Sequence, residues 1–306
     1  MQTTRYLDDL IFSRQFRFDR LKITGMDNEA VARMFSPEIL REEVCLFANE
    51  VGDGDAYFHR LHDRLLEAMQ NKRPLPIVRF ADGEYAFYRY TLGCNGLYKQ
   101  AESIDAIQKA MPLHVETLQY LAECGILAPL IFPGNSQTPA ERSFFRKEKR
   151  DSTAAAFLDF LRDSSILLTA DNYIPFYVIY AYLSSPEFAA AANGKKICVL
   201  NSEFSRENCR NWFANQNSAP ELCFVDIPRE YVATRWPDIR ASILDKIPDG
   251  TDLCIVGAGV GALLLCVEIA RRLSVPALDA GHVLNMMNDR VDKSNGARLY
   301  TLRKTS

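Results

Sequence analysis

Three things are scarce in this 306-residue chain, and each scarcity removes a class of function: it has four histidines, no Cys-x-x-Cys pair and a formal charge of only -3. Cys45, Cys94, Cys124, Cys198, Cys209, Cys223, Cys254 and Cys266 are scattered, so neither a zinc site nor a disulfide framework is expected, and they read as small core residues in a reducing compartment. The near-neutral charge gives no electrostatic reason to bind nucleic acid. Apolar stretches are short as well. Residues 253–267 fall below the ~20 needed to span a bilayer and contain three glycines, which suits a strand and a helix and no transmembrane segment. Asp8 and Asp9 precede any apolar run, so no secretory leader is expected and the expected location is cytoplasmic. What remains, 48% hydrophobic and 25% charged, is the composition of an ordinary globular protein.

Against that background residues 78–90, VRFADGEYAFYRY, are dense in chemistry. Ile77, Val78 and Phe80 have the character of a short buried strand ending near Ala81. Asp82 and Glu84 flank Gly83, which would let the backbone turn sharply and aim both carboxylates at one point. Mg²⁺ or Mn²⁺ commonly takes one or two carboxylates and completes its shell with water and phosphate oxygens, so the pair suits such a cation. Arg79 could meet a phosphate or lock a carboxylate. The triplet Asp27-Asn28-Glu29 has the same spacing in a polar turn, so spacing alone does not make a metal site; the alternative for Asp82 and Glu84 is a solvated helix cap.

Two later stretches carry further candidates. The strand expected at 196–200 delivers Asn201, Ser202, Glu203, Ser205 and Arg206 to the edge where α/β proteins bind ligands. Arg206 could bind phosphate, with Glu203 orienting it or acting as a base; the alternative is a helix cap formed by Ser202. Residues 252–283 read as strand, glycine turn, helix and strand. Gly257-x-Gly259-x-x-Ala262 with Asp279 about 20 residues on also satisfies the dinucleotide fingerprint, Asp279 then holding a ribose. A glycine turn opening a helix binds any phosphate, so an NAD(P)- or SAM-binding enzyme stays open, as does a non-catalytic nucleotide-binding protein.

RFADGE resembles the Arg-Phe-Gly-Asp-Gly-Glu signature of GT-D-type glycosyltransferases, NSEFSREN at 201–208 resembles that family's Glu-x-Ser-Arg segment, and 252–283 resembles its closing unit ending in Asp-x-Gly-His. Ala81 replaces a glycine of the signature, Gly257-Ala258-Gly259 stands where Gly-Pro-Thr is usual, and Val283-Leu284 follow His282 in place of Ile-Asp. The resemblance implies a metal at Asp82 and Glu84 and a nucleotide-sugar donor, a UDP-sugar, near Arg79, Asn201, Ser205, Arg206, Gly257, Gly259 and Asp279. His282 would then ligate the metal or serve the hydroxyl of a glycan, glycoprotein or lipid-linked acceptor, the alternative being a structural histidine.

The expected fold class is α/β: an open, mainly parallel sheet flanked by helices, Rossmann-like and of GT-D type, occupying 71–306 after a helical N-terminal extension over 1–70. Helices are expected over 38–50, 56–69, 85–90, 104–125, 177–183, 236–247 and 262–273, with strands at 126–132, 166–169 and 221–227. The strand at 166–169 would bring Asp171 to the ligand edge. His59 and His62 read as surface or half-buried imidazoles before a metal pair. Tyr85, Phe87, Tyr88 and Tyr90 form an aromatic patch that packs in the core or against a sugar. Residues 12–22 alternate aromatic and basic side chains that could touch anionic lipid or cover the core, and 133–151 reads as a mobile basic loop or a surface helix.

Overall fold

The computed structural model describes residues 54–96, 98–131 and 154–288. The stretches at 12–22, 38–50 and 133–151 and the triplet at Asp27 lie outside the described residues.

Six strands form one parallel sheet: β1 (Leu75–Phe80), β2 (Ile126–Pro129), β3 (Lys196–Asn201), β4 (Glu221–Asp226), β5 (Leu253–Gly257) and β6 (Pro276–Asp279), in the order β2-β1-β6-β5-β3-β4. Parallel strands covered on both faces are apolar throughout, and β1, β2 and β6 are buried at every position. The chain builds β1 and β2 outward in one direction, crosses to β3 and β4 on the far side, then returns to fill the centre with β5 and β6. All carboxyl ends therefore share one edge.

The flanking helices are α1 (Gly54–Asn71), α2 (Asp82–Tyr88), α3 (Ile104–Cys124), α4 (Ala154–Asp163), α5 (Phe176–Leu183), α6 (Pro186–Ala192), α7 (Arg206–Ala214), α8 (Val232–Leu244), α9 (Ala262–Leu273) and α10 (His282–Met287). Helix α1 belongs to the same core as the sheet through Phe58, Leu61, Leu65 and Met69 at helical spacing. Helix α3 starts where the Ser103 hydroxyl accepts the Ala106 N–H at 3.1 Å and stops where the Gly125 N–H reaches Leu121 O at 2.8 Å. Helix α9, buried along Leu263–Val267, keeps Arg271 and Arg272 for its last turn, where cations favour the helix dipole.

Two expectations are corrected, the strand at 166–169 and the start of the helix at 236. Residues 166–169 form no strand: Leu168 is a lone bridge residue, and the bridge to β2 is made further on, where Tyr173 pairs with Leu127. Asn172 holds that corner in a turn instead, its Oδ1 accepting the Thr169 N–H at 2.8 Å and its Nδ2 donating to Leu167 O. Helix α8 begins at Val232, four residues before Trp236, because Pro237 is absorbed by a kink at Arg235. Tyr85, Phe87 and Tyr88 are core residues: Phe157 stacks 5.0 Å from the Tyr85 ring, and the Tyr85 hydroxyl donates to Phe80 O or Leu130 O at 3.0 and 2.9 Å. Tyr90 alone of the four stays 39% exposed. His62 is tied to the Tyr182 hydroxyl at 3.0 Å while His59 is exposed on α1, so the two do not face a common point.

Candidate active site at the carboxyl edge of the sheet

A cavity of about 270 Å³ opens over the carboxyl ends of β1, β6, β5 and β3, close to the lower end of the ~300–1,000 Å³ usual for small-molecule sites. Its lining includes Arg79, Asp82, Glu84, Asn201, Gly257, Gly259, Asp279 and His282. The sequence-predicted residues are thus gathered from four strands, and Ser205, Arg206, Glu203 and Asp171 are not among the lining.

The acidic pair is held by a helix, not a sharp turn. Asp82 and Glu84 lie in the first turn of α2, and Glu84 Oε2 reaches back to accept the Ala81 N–H at 2.9 Å, as the third residue of a capping box does. Gly83 is helical, with no positive φ, and a Cβ there would meet nothing within 4 Å. Neither backbone nor packing requires glycine; it leaves space in the cavity wall. Asp82 is exposed at the mouth, whereas burial pushes the Glu84 carboxyl up to about 7 against the lowering effect of the Ala81 N–H.

Beneath the pair, Arg79 and Asp279 satisfy each other. Arg79 Nε donates to Asp279 O at 2.8 Å, Nη2 to Oδ1 at 3.1 Å, and the Arg79 backbone N–H to Oδ2 at 3.2 Å. The guanidinium carbon lies 5.0 Å from the Phe176 ring centre and 4.9 Å from that of Tyr180. Burial alone would push the guanidinium toward neutrality, but the Asp279 carboxylate outweighs it and the Arg79 pKa is raised. Gly281 makes the close approach feasible: at φ +43° its missing Cβ would fall 1.6 Å from Arg79 Nη2. Of the two roles the sequence allows Arg79, locking a carboxylate is the one seen here, and the donors and acceptors named above are used within the Arg79–Asp279 pair.

The glycine turn is also filled from within. Gln100, 7% exposed, accepts the Val260 N–H at 3.0 Å through Oε1. A Cβ on Gly259, whose φ is +53°, would sit 2.7 Å from that amide. A phosphate entering this turn would have to displace Gln100 from a backbone N–H just ahead of α9. On β3, the Asn201 Oδ1 accepts the Ser202 N–H at 2.8 Å and Nδ2 donates to Glu203 O at 2.8 Å, which shapes the exit of the strand. Ser205, rather than Ser202, caps α7 by accepting the Asn208 N–H at 3.2 Å, a contact typically worth ~1 kcal/mol. Arg206 follows at the first helical position with its guanidinium 5.5 Å from the Phe224 ring centre. Both residues, expected near the donor phosphates, thus lie at the start of α7 and outside the cavity lining. His282 opens α10 with Nδ1 3.2 Å from Asn285 Nδ2, both residues facing the cavity.

Sequence reasoning passed over Tyr98, Gln100 and Arg229, all in the lining. Arg229 had a legible signal: with Pro228 it directly follows the strand Glu221–Asp226 and Ile227, where the sheet-edge rule places ligands. Tyr98 and Gln100 lie in an irregular segment stapled by Asn95, whose Oδ1 accepts the Ala101 N–H at 3.0 Å; no pattern in the sequence marks it.

A parallel sheet flanked by helices, with a cavity over adjacent carboxyl ends, defines a Rossmann-like α/β protein. Residues 179–287 match the family model described as a GT-D fold-like domain, about a third of the chain, and the fold is of the GT-D type. That segment contains β3 to β6 and α10 and stops short of β1 and α2, so Asp82 and Glu84 lie outside it. No curated protein and no solved structure matches the chain significantly. No helix among the described residues is long and apolar enough to cross a membrane.

Proposed function

We propose that this protein is a metal-dependent glycosyltransferase that moves a sugar from a nucleoside-diphosphate donor, a UDP-sugar by resemblance, to a glycan, glycoprotein or lipid-linked acceptor. The observation that carries this reading is the placement of Asp82 and Glu84 in the wall of a cavity over four strand ends of a GT-D-type fold. The donor set fits Mn²⁺ or Mg²⁺ in a particular way. Asp82 and Glu84 share the first turn of α2 in the cavity wall, and two carboxylates are the share such a cation commonly takes from a protein, so phosphate oxygens and water would complete the shell. Such a cation, when bound, supplies positive charge opposite the departing diphosphate.

The chain's own groups have separable tasks. Asp82 brings negative charge to the mouth, where a bare diphosphate would be repelled, and Glu84, pushed up to about 7 by burial, would join it as a carboxylate when a cation binds. The Arg79–Asp279 pair forms a rigid floor, and His282, steadied by Asn285, is the lining residue placed to meet an acceptor hydroxyl. Gln100 in the glycine turn and Asp279 bound to Arg79 favour this reading over an NAD(P)- or SAM-binding one, because both groups such a cofactor would use are occupied.

Calorimetric titration with UDP in the presence of Mn²⁺ checks it. Asp82→Asn is expected to weaken binding at least ~10-fold, about 1.4 kcal/mol, and to erase the dependence on metal; unchanged Mn²⁺-dependent affinity removes the metal from this pair. Gly83→Ala gives a complementary result. With no clash and an ordinary helical backbone it should stabilise the fold by ~0.5–1 kcal/mol in urea denaturation, yet weaken UDP–Mn²⁺ binding by narrowing the wall. A stabilised variant with parental affinity would locate the ligand away from α2.

A further inference from the structure

The cavity poses a charge problem once its arginines are traced. Arg79 is buried and neutralised by Asp279, and Arg206 lies over Phe224 outside the lining. Arg229, by contrast, lines the cavity with its side chain 57% exposed, its Nη1 3.2 Å from Glu203 Oε1 and its guanidinium carbon 5.8 Å from the Tyr98 ring centre. Its segment is fastened to the one that carries Tyr98: the Tyr231 N–H donates to Lys99 O at 2.8 Å, and Lys99 pairs with Glu230 at 3.3 Å. The next turn adds Thr234 Oγ1 donating to Glu102 at 2.6 Å. Two irregular segments are therefore clasped so that an exposed arginine and an aromatic face meet at the cavity.

We propose that Arg229 is the phosphate-binding side chain of this cavity, and that Glu203 is its internal stand-in for the ligand. An exposed ion pair is worth only ~0–1 kcal/mol, so a diphosphate, with more charge and a set of oxygens matching the planar guanidinium, takes Arg229 from Glu203 at little cost. Tyr98 supports the guanidinium from its ring face as the partner changes. This deepens the proposed function, on which it rests for the identity of the anion as a nucleoside diphosphate. It also assigns Glu203 a competing role at the rim in place of a base role at the reacting atoms.

Calorimetry with UDP–Mn²⁺ and with inorganic pyrophosphate–Mn²⁺, on the parent and on Arg229→Ala, Arg229→Lys and Glu203→Gln, tests the assignment. Arg229→Ala is expected to weaken both ligands ~10-fold or more and to flatten the salt dependence of binding, Arg229→Lys to restore part of the loss, and Glu203→Gln to tighten both ligands a few-fold. A merely structural ion pair would make Arg229→Ala and Glu203→Gln act in the same direction, and that result overturns the proposal. If UDP–Mn²⁺ binds the parent and Arg229→Ala equally, the Arg229 assignment falls and the glycosyltransferase reading stands. If pyrophosphate binds in an Arg229-dependent way but UDP does not bind, the anion site stands and that reading falls. Binding of neither ligand to the parent overturns both.

Discussion

Asp279→Ala is expected to destabilise the fold by ~3–5 kcal/mol in urea denaturation at pH 7, a large part of the ~5–15 kcal/mol by which domains are stable. The cause is the charge left behind. Arg79 is 7% exposed, packs against the Phe176 and Tyr180 rings, and would lose the side-chain acceptor of its Nη2. Desolvation that the pair now offsets would act unopposed on the guanidinium. Arg79→Met combined with Asp279→Ala should recover much of the loss, since replacing both charges with apolar groups removes the orphan; the two sites are in contact, so their effects should not add. A ribose-binding aspartate at an open edge behaves differently, its loss staying within about 0.5 kcal/mol in stability. Stability of Asp279→Ala within that margin would therefore return Asp279 to the ligand and revive the dinucleotide reading.

Glu84→Gln should change how stability depends on pH. The folded protein holds a proton on Glu84 up to about pH 7, whereas the ordinary carboxyl value is 4.5. The unfolded chain therefore releases that proton first, and the parent loses stability through this group as pH rises from 4.5 to about 7, with no further loss above. The shift corresponds to roughly 3 kcal/mol at most, reduced by the partial opening of Glu84 to the cavity. His114 acts in the opposite sense. Burial lowers it from 6.5 to about 4, with Nε2 donating to Ala233 O at 2.9 Å and Nδ1 3.2 Å from the Tyr88 hydroxyl. It costs stability as pH falls from 6.5 to about 4, again by roughly 3 kcal/mol. Between pH 4.5 and 6.5 the two contributions offset in the parent. Glu84→Gln, whose amide oxygen can still accept the Ala81 N–H, should be more stable than the parent at pH 8 and should lose stability below pH 6.5 through His114 unopposed. Urea denaturation at pH 5, 6.5 and 8 reads this directly, and parallel profiles for parent and variant would show that Glu84 is not held neutral.

What was legible in the sequence follows how local the cause is. Helix α9 and the strands beside it have the bounds the sequence suggests, Ala262 to Leu273 and the end at Asp279, because an apolar stretch, a glycine turn and terminal arginines specify them within one segment. The gathering of Asp82, Asn201, Gly257 and His282 was equally legible, since parallel strands deliver all their carboxyl ends to one edge. Pairings across the chain were not. Arg79 meets Asp279 200 positions away and Gln100 meets Val260 160 positions away, and nothing local to any of these residues announces its partner. Gly83 misled for a different reason: Glu84 reaches back to Ala81 and starts a helix at Asp82, so the capping pattern outweighed the turn tendency of glycine. At β3 the helix start moved to Ser205 because Asn201 ties up the exit turn before it.

The central claim is that this cavity takes a nucleoside diphosphate together with a divalent cation. Its most direct test is a thermal shift measurement on the parent with UDP plus Mn²⁺, UDP alone, Mn²⁺ alone, NAD(H) and SAM. A ligand at 100 times its dissociation constant stabilises the folded state by about 2.7 kcal/mol, which raises Tm by a few degrees in a chain of this size. The account predicts that shift for UDP with Mn²⁺ and little for either alone; a clear shift with NAD(H) or SAM in the absence of metal, and none with UDP plus Mn²⁺, would contradict it.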